Sequence, residues 1–345
     1  MQFHTLRIAR VIRETPDASS FVFEIPEAQA ELFRYRAGQF LTFRIRRRLR
    51  ALLRCYSLSS SPEAGDAPMV TVKRVAGGRV SNWLNDRLAE GDHIAALPPA
   101  GRFTLREPAD GSAGEPLLFF AGGSGITPIL SLIKTALWRG GRRLRLFYAN
   151  RDADSVIFRA QLEALARAHA ELEVIHHLDS SGGVATPGQL AAAAAGFESA
   201  HAYLCGPAPF MELAEAALAA AGFDSGRIFI ERFVSPPDGQ APAVALRAEG
   251  VACNLAIRLG GTLHRVTCQP GQSILQAARE AGLSPPAACE EGFCGSCAAR
   301  RLRGKIRLNA NDVFSEDDLA AGWTLTCQGY PETPDCEISY DETNS

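Results

Sequence analysis

Four cysteines near the C-terminal end constrain this chain more than any other feature. Cys289 and Cys294 are separated by four residues, Cys294 and Cys297 by two, and Cys327 follows after a gap of 29. The spacing suits two ferric ions bridged by sulfide, which need four thiolates, two per iron. A tight loop can place three sulfurs along one edge, and the fold must bring the fourth from elsewhere. Gly292 and Gly295 let the loop "CEEGFCGSC" wrap closely and aim backbone N–H groups at the sulfurs. Zinc is the alternative. Structural zinc sites usually pair two C-x2-C knuckles; here only one such pair exists, and no histidine lies near the loop. The pattern favours a 2Fe-2S cluster held by Cys289, Cys294, Cys297 and Cys327.

A cluster loop needs only a small domain, and the chain has 345 residues, enough for two or three. A net charge of -2 points to neither nucleic acid nor membrane as a partner. The N-terminal "MQFHTLRIARVIRE" alternates like a strand and lacks the apolar core of a signal peptide. No stretch approaches the ~20 apolar residues of a membrane helix. A cytoplasmic protein is expected, in which nine cysteines serve as ligands or buried thiols. Cys55, Cys205, Cys253, Cys268 and Cys336 fall outside the cluster pattern, and most of them read as small buried hydrophobes.

The chain divides by character. Residues 1–108 carry short β-rich runs such as "SSFVFEIP", "GQFLTFRI" and "MVTVKRV", with one helix at "SNWLNDRLAEG", capped by Ser81 and closed by Gly91. That mixture predicts a closed or nearly closed antiparallel β-barrel. Residues 109–233 alternate strands and helices, opening on the continuous apolar run "PLLFFAGG" and including a helix from Phe158 to Ala170. They predict a doubly wound parallel α/β sheet. Residues 234–249, with "VSPPDGQAPA", read as a linker, and 250–345 as a third unit. The alanine run at 191–195 reads as a solvent-facing helix.

Two further motifs carry chemistry. In "RCYSLSSSP", Arg54 can hold a phosphate, Tyr56 can flank a flat ring, and Ser57 can hydrogen-bond where hydride arrives on a flavin. Taken alone, the motif reads better as a plain barrel strand. In "LLFFAGGSGITPILSLI", Gly123, Gly125 and Pro128 lie between a strand and a helix, which suits a dinucleotide diphosphate, and Thr127 could bond the nicotinamide end. The basic run "RIRRRLRALLR", from Arg44 to Arg54, reads as a solvated face, with a docking patch for an acidic partner as the sharper alternative.

Together these segments resemble a known family. "ACEEGFCGSCAARRLRGKI", with "LTCQGYP" downstream and "GQSILQAAREAGL" before it, is similar to the β-grasp ferredoxin domains fused to flavin reductases. "YRAGQFLTF", "RCYSLSSSP", "VKRVAGGRVSNWL" and "LPPAGRFTL", in that order, resemble the flavin domain of the ferredoxin–NADP reductase superfamily. The resemblance implies FAD, with Gly77, Gly78, Val80 and Ser81 at a helix N-terminus as the diphosphate site; relatives that use FMN lack this feature. It also implies that Cys205, Gly206 and Pro207 lie beside the nicotinamide. Glu231 would lie near the flavin–nicotinamide contact, and Phe233 would cover the flavin face. Asp152 and Asp154 beside Arg151 would repel a 2′-phosphate, which favours NADH over NADPH.

The order of carriers has a physical logic. NADH gives two electrons as hydride, a cluster takes one at a time, and flavin does both, so it lies between them. The resemblance is greatest to the reductase components of ketosteroid hydroxylases and of phenylacetyl-CoA epoxidase. It implies a separate terminal oxygenase as partner, of Rieske type in steroid or aromatic hydroxylation. A di-iron monooxygenase or epoxidase as acceptor, or a slow redox sensor or carrier, remains the alternative. The chain itself shows neither Rieske cysteine–histidine pairs nor a di-iron motif.

Overall fold

Period-two alternation builds the first sheet. In β1 (His4–Thr15), Leu6 and Ile8 are buried while their neighbours face solvent, and the strand pairs antiparallel with β2 (Ala18–Glu24). The computed structural model describes residues 3–47, 50–106, 114–233, 251–287, 292, 295, 297–311, 314 and 316–341. After β2 come β3 (Phe40–Arg47), β4 (Arg50–Ser57), β5 (Met69–Lys73), α1 (Ser81–Arg87) and β6 (His93–Ala96), in the sheet order β4-β3-β6-β1-β2-β5. The two edges meet where Leu58 bridges Val70, so the sheet closes into the expected barrel. Phe21, Phe23, Phe43, Leu58, Val70 and Leu84 fill it. The helix differs from expectation. Val80 is its N-cap, and Ser81 turns its Oγ back to accept from the Val75 amide at 3.3 Å. The helix ends at Leu88, whose backbone is extended, three residues before Gly91.

Continuous apolar runs build the second sheet. Its elements are β7 (Leu117–Gly122), α2 (Ile126–Arg139), β8 (Leu144–Asn150), α3 (Arg159–Ala168), β9 (Leu172–Leu178), the short α4 (Asp179–Gly182), α5 (Pro187–Ala194), β10 (His201–Gly206), α6 (Ala208–Ala220) and β11 (Ile228–Arg232). All pairings are parallel, in the order β11-β10-β7-β8-β9. Both faces are covered. Phe119 packs among α2 and α3, and Phe120 among α5 and α6, each fully buried and worth roughly 1.5–3 kcal/mol. Helix α3 starts one residue later than expected because Phe158 sits at φ 62 as its N-cap, and it ends at Ala168. The alanine run is half core, since Ala193 and Ala194 of α5 are buried in the second of these clusters.

Barrel and parallel sheet form one compact unit. Its seam is built of small hydroxyls. Ser131 Oγ of α2 donates to the Ser60 carbonyl and accepts from the Gly38 amide, and Ser61 Oγ meets Thr135 Oγ1 at 2.7 Å. All four side chains are buried, so each hydroxyl needs the partner it finds. Arg139 grips Glu63 through two bonds of 2.7 and 2.8 Å.

The C-terminal residues form a second unit. β12 (Cys253–Leu259) and β13 (Thr262–Cys268) make a hairpin whose turn, Gly260–Gly261, has both φ values positive (61 and 75). α7 (Ile274–Glu280) opens on a capping box between Ser273 and Gln276. Then follow β14 (Ala298–Arg303), β15 (Ile306–Leu308), α8 (Glu316–Ala320), β16 (Trp323–Leu325), β17 (Gly329–Pro331) and β18 (Asp335–Ser339). The main sheet runs β13-β12-β18-β14-β16, with β15 and β17 as a separate pair. A mixed sheet crossed by one main helix is the β-grasp arrangement expected for the ferredoxin domain. The linker, "VSPPDGQAPA" included, lies outside the described residues.

Candidate functional site

The flavin segment stands at the barrel's closure. β4 carries Arg54, Tyr56 and Ser57, and the Leu58–Val70 bridge sets it beside β5, which leads into the Gly77–Gly78 turn. Tyr56 leans on Phe43, ring centroids 5.9 Å apart, while Ser57 is buried. The turn itself requires its glycines. Gly77 has φ +70, and a Cβ on Gly78 would stand 2.5 Å from Ser81 Oγ. Among the described residues no side chain caps α1, so its first backbone N–H groups remain available beside the two glycines of the turn. That arrangement fits a flavin diphosphate bound through backbone donors, with Val80 and Ser81 supplying position and their side chains buried. Of the arginines in the basic run, only Arg44 and Arg54 have described side chains; Arg44 lies over the Phe3 ring at 4.2 Å.

The dinucleotide segments converge where the strand order of the parallel sheet reverses, between β7 and β10. A Cβ on Gly125 would stand 2.0 Å from the Cys205 carbonyl oxygen, and one on Gly122 would stand 2.8 Å from Pro207 Cδ. A Cβ on Gly206 would stand 3.0 Å from the Gly122 nitrogen. Only glycine lets the two loops touch. Gly123 adopts φ +52, and α2 and α6 both begin here without a capping side chain. A crevice at two helix N-termini, neither capped by a side chain among the described residues, fits a diphosphate. Thr127 is buried and donates its hydroxyl to the Ser124 carbonyl at 3.0 Å, bracing the loop; Pro128 is buried in the first turn of α2. Cys205 pairs in register with Glu231 on β11. Burial pushes the Cys205 thiol up, and the Glu231 carboxylate adds to the effect, so it stays protonated. Phe233 follows β11 and is 43% exposed.

Asp152 is committed locally. Its Oδ1 accepts from the Ser155 amide at 2.9 Å in a capping box. Arg151 pairs with Asp17 of the barrel at 3.5 Å. A separate cleft of about 630 Å³ runs between Arg10 and Glu14 of β1, Lys134 of α2 and Phe158, and none of the loop residues above lines it.

In the C-terminal unit, Cys297 Sγ and Cys327 Sγ lie 3.2 Å apart. That is far beyond a disulfide's ~2.05 Å and close enough for two thiolates to share one metal ion. Gly292 (φ 90) and Gly295 (φ 68) give the loop its left-handed turns, and a Cβ on Gly292 would stand 2.7 Å from the Ala310 carbonyl oxygen. Cys289 and Cys294 lie outside the described residues. Sulfurs that approach without bonding, on a loop of positive-φ glycines, fit an iron–sulfur cluster. Reading the sequence missed Thr326. Its amide and hydroxyl both donate to the Cys297 carbonyl, and Tyr340 donates to its Oγ1 at 2.8 Å, tying the two cysteine segments together. The threonine beside Cys327 in "LTCQGYP" was its only signal.

Comparison with known proteins agrees with this layout. Residues 5–105 match the oxidoreductase FAD-binding domain, 119–216 the oxidoreductase NAD-binding domain, and 257–332 the 2Fe-2S iron-sulfur cluster binding domain. The chain is 42% identical to the 3-ketosteroid-9-alpha-monooxygenase ferredoxin reductase component of Rhodococcus rhodochrous, over 97% of this chain and 96% of that protein. It is 33% identical to one of the polypeptides of 1,2-phenylacetyl-CoA epoxidase from Escherichia coli K12, over 98% of each. Phthalate dioxygenase reductase has the same fold, with a TM-score of 0.60 at 24% identity over 98% of both chains. The chain belongs to the family of FAD-, NAD- and 2Fe-2S-binding oxidoreductases that serve as reductase components of multicomponent oxygenases.

Proposed function

We propose that this chain carries electrons from NADH through FAD and a 2Fe-2S cluster to a separate Rieske-type oxygenase that hydroxylates a steroid. The observation that carries the reading is the glycine-tight junction of the Gly122–Gly125 loop with the Cys205–Pro207 segment, in one compact unit with the barrel. Bound FAD supplies the exchange between two-electron and one-electron chemistry. The residues of the chain bind and orient. Arg54 holds a flavin phosphate, Tyr56 flanks the ring, Ser57 bonds near the hydride-accepting nitrogen, and Gly77, Gly78, Val80 and Ser81 offer backbone donors. Gly123, Gly125, Thr127, Pro128, Gly206 and Pro207 shape the dinucleotide crevice. Cys205 and Glu231 stand at the nicotinamide, the thiol kept neutral by its burial, and Phe233 covers the flavin. Cys289, Cys294, Cys297 and Cys327 are the iron ligands. The working domain limits are 1–108, 109–233 and 250–345, joined by the linker 234–249, in a cytoplasmic setting.

The preference for NADH follows from charge. Arg151, the cation a 2′-phosphate would seek, is already paired with Asp17, and Asp152 and Asp154 flank it. The steroid assignment rests on the 42% identical relative. The test is reconstitution with the terminal oxygenase of a 3-ketosteroid 9α-hydroxylase. NADH-driven hydroxylation of a 3-ketosteroid, with little support from NADPH, is expected. Turnover only with an epoxidase component would move the chain to that system, and equal use of NADPH would overturn the reading of Arg151.

A further inference from the structure

Each hydride from NADH brings the flavin two electrons and a proton, and a cluster takes away only electrons. One proton per NADH therefore has to leave the flavin by another route. The outer face of the barrel holds a row of hydroxyls suited to that task. Leu58 faces the barrel interior, so Ser57 and Ser59 on either side of it face the other way. Thr71 of β5 lies likewise between Val70 and Val72, both of which face the interior. Ser59 Oγ meets Thr71 Oγ1 at 2.8 Å, and Thr71 Oγ1 meets Ser20 Oγ of β2 at 2.7 Å. Ser20 Oγ donates to Glu14 Oε1 of β1 at 2.6 Å. Ser20, Ser59 and Thr71 are buried, while Glu14 lines the 630 Å³ cleft.

Counting hydrogens gives the row a direction. A hydroxyl has one hydrogen to donate, and an ionised carboxylate has none. Ser20 commits its hydrogen to Glu14, so Thr71 donates to Ser20 and Ser59 donates to Thr71. The other contact of the Ser59 hydroxyl, to the Met69 carbonyl, is longer at 3.3 Å. Every donor thus points from Ser59 toward Glu14, and Ser59 keeps a lone pair to accept a proton from the flavin side. Among the described residues Glu14 pairs with no cation. Arg10 and Arg13 line the same cleft, as do Lys134, paired with Asp66, and Arg159, paired with Glu163. Burial pushes the Glu14 carboxyl above its usual 4.5, with the Ser20 bond opposing, which suits a group that takes a proton and gives it up again.

We propose that Ser59, Thr71 and Ser20 relay the proton of the reduced flavin to Glu14, which releases it into the cleft. Each hydroxyl passes its own hydrogen forward and takes the one behind it. One N–H bond breaks at the flavin, and one O–H bond forms on Glu14. The proton enters beside Ser57, through a water that spans to Ser59. The proposal rests on the reading that Ser57 lies at the hydride-accepting nitrogen.

The test uses the full-length holoprotein, reduced with one equivalent of NADH and mixed with excess ferricyanide in weak buffer containing a pH-indicator dye. In the wild type, proton release should keep pace with flavin reoxidation. In Thr71→Val, which keeps the shape but lacks the hydroxyl, release should be about ten-fold slower, and Thr71→Ser should restore it. Glu14→Ala should be slowed likewise. Added formate should rescue Glu14→Ala, whose gap opens on the cleft, but not Thr71→Val, whose gap is buried. FAD content after dialysis checks that each variant is folded. Redox-induced infrared difference spectra should show a carboxyl change in the wild type that Glu14→Gln removes. Proton release at the wild-type rate in Thr71→Val would overturn the proposal and leave the flavin reading standing. A slow Glu14→Ala that formate does not relieve would overturn it too. Reduction by NADH at the wild-type rate in Ser57→Ala would instead overturn the placement of Ser57 at the flavin, and the relay with it.

Discussion

The C-terminal unit holds two sets of cysteines with opposite fates. Cys297 and Cys327 stand 3.2 Å apart, where β14 begins and β16 has just ended, in a small apolar seat with Leu275, Ala287 and Leu325. Cys253, Cys268 and Cys336 lie in the strands themselves, among Leu255, Ile257, Ile274 and Ile338. Cys253 and Cys268 face each other across the hairpin, and Cys336 adjoins them on β18. Both sets are buried, so burial does not distinguish a ligand from a core residue. The backbone does. Loop cysteines next to positive-φ glycines can turn their sulfurs toward a common point, whereas strand cysteines are held by the pleat among apolar side chains. Burial also raises the strand thiols, Cys268 to about 11 and Cys253 in the same direction with Cys336 adding to it. A thiol that resists ionisation is a poor metal ligand.

The contrast can be broken most sharply at Cys327. Cys327→Ser should lose the cluster absorption and essentially all NADH-driven cytochrome c reduction. Reduction of ferricyanide, which can draw on the flavin, should persist. Equal loss of both activities would mean that the loop cysteines, like the strand cysteines, serve the fold. A second effect belongs to the strand set. The folded pKa of Cys268 lies above its ordinary 9.0, so above that pH the unfolded chain sheds a proton that the folded chain keeps. Cys268 alone should therefore leave stability unaffected below about pH 9 and lower it by up to about 1.4 kcal/mol per pH unit between 9 and 11, with Cys253 adding to the fall. Urea unfolding of the C-terminal unit across that window measures it, and Cys268→Ala should flatten the slope. The smallest effect is expected from Cys253→Ala, about 1 kcal/mol of stability with an unchanged cluster spectrum. A lost spectrum there would place Cys253 among the groups that support the cluster.

The motifs that were legible in the sequence are those whose chemistry is written in consecutive residues. The cysteine spacing, the Gly123–Pro128 loop and the buried run of β7 need only local pattern, and the loop and the run sit in the elements expected of them. What stayed hidden depends on residues brought from far along the chain. A closed barrel is legible in the strand runs, but not the Leu58–Val70 bridge that joins its edges. The serines after Ser57 looked like an extension of the flavin motif, but Ser60 and Ser61 fasten the barrel to α2. Ser81 looked like a cap because capping residues usually precede helices, whereas here its hydroxyl closes the turn in front of the helix.

The account stands most directly on an anaerobic titration of the purified holoprotein with NADH, followed by its absorption spectrum. The flavin band should bleach, and the broad cluster absorption should fall with it, because both carriers draw on one hydride donor. Bleaching of the flavin while an intact cluster keeps its oxidised absorption would contradict the account.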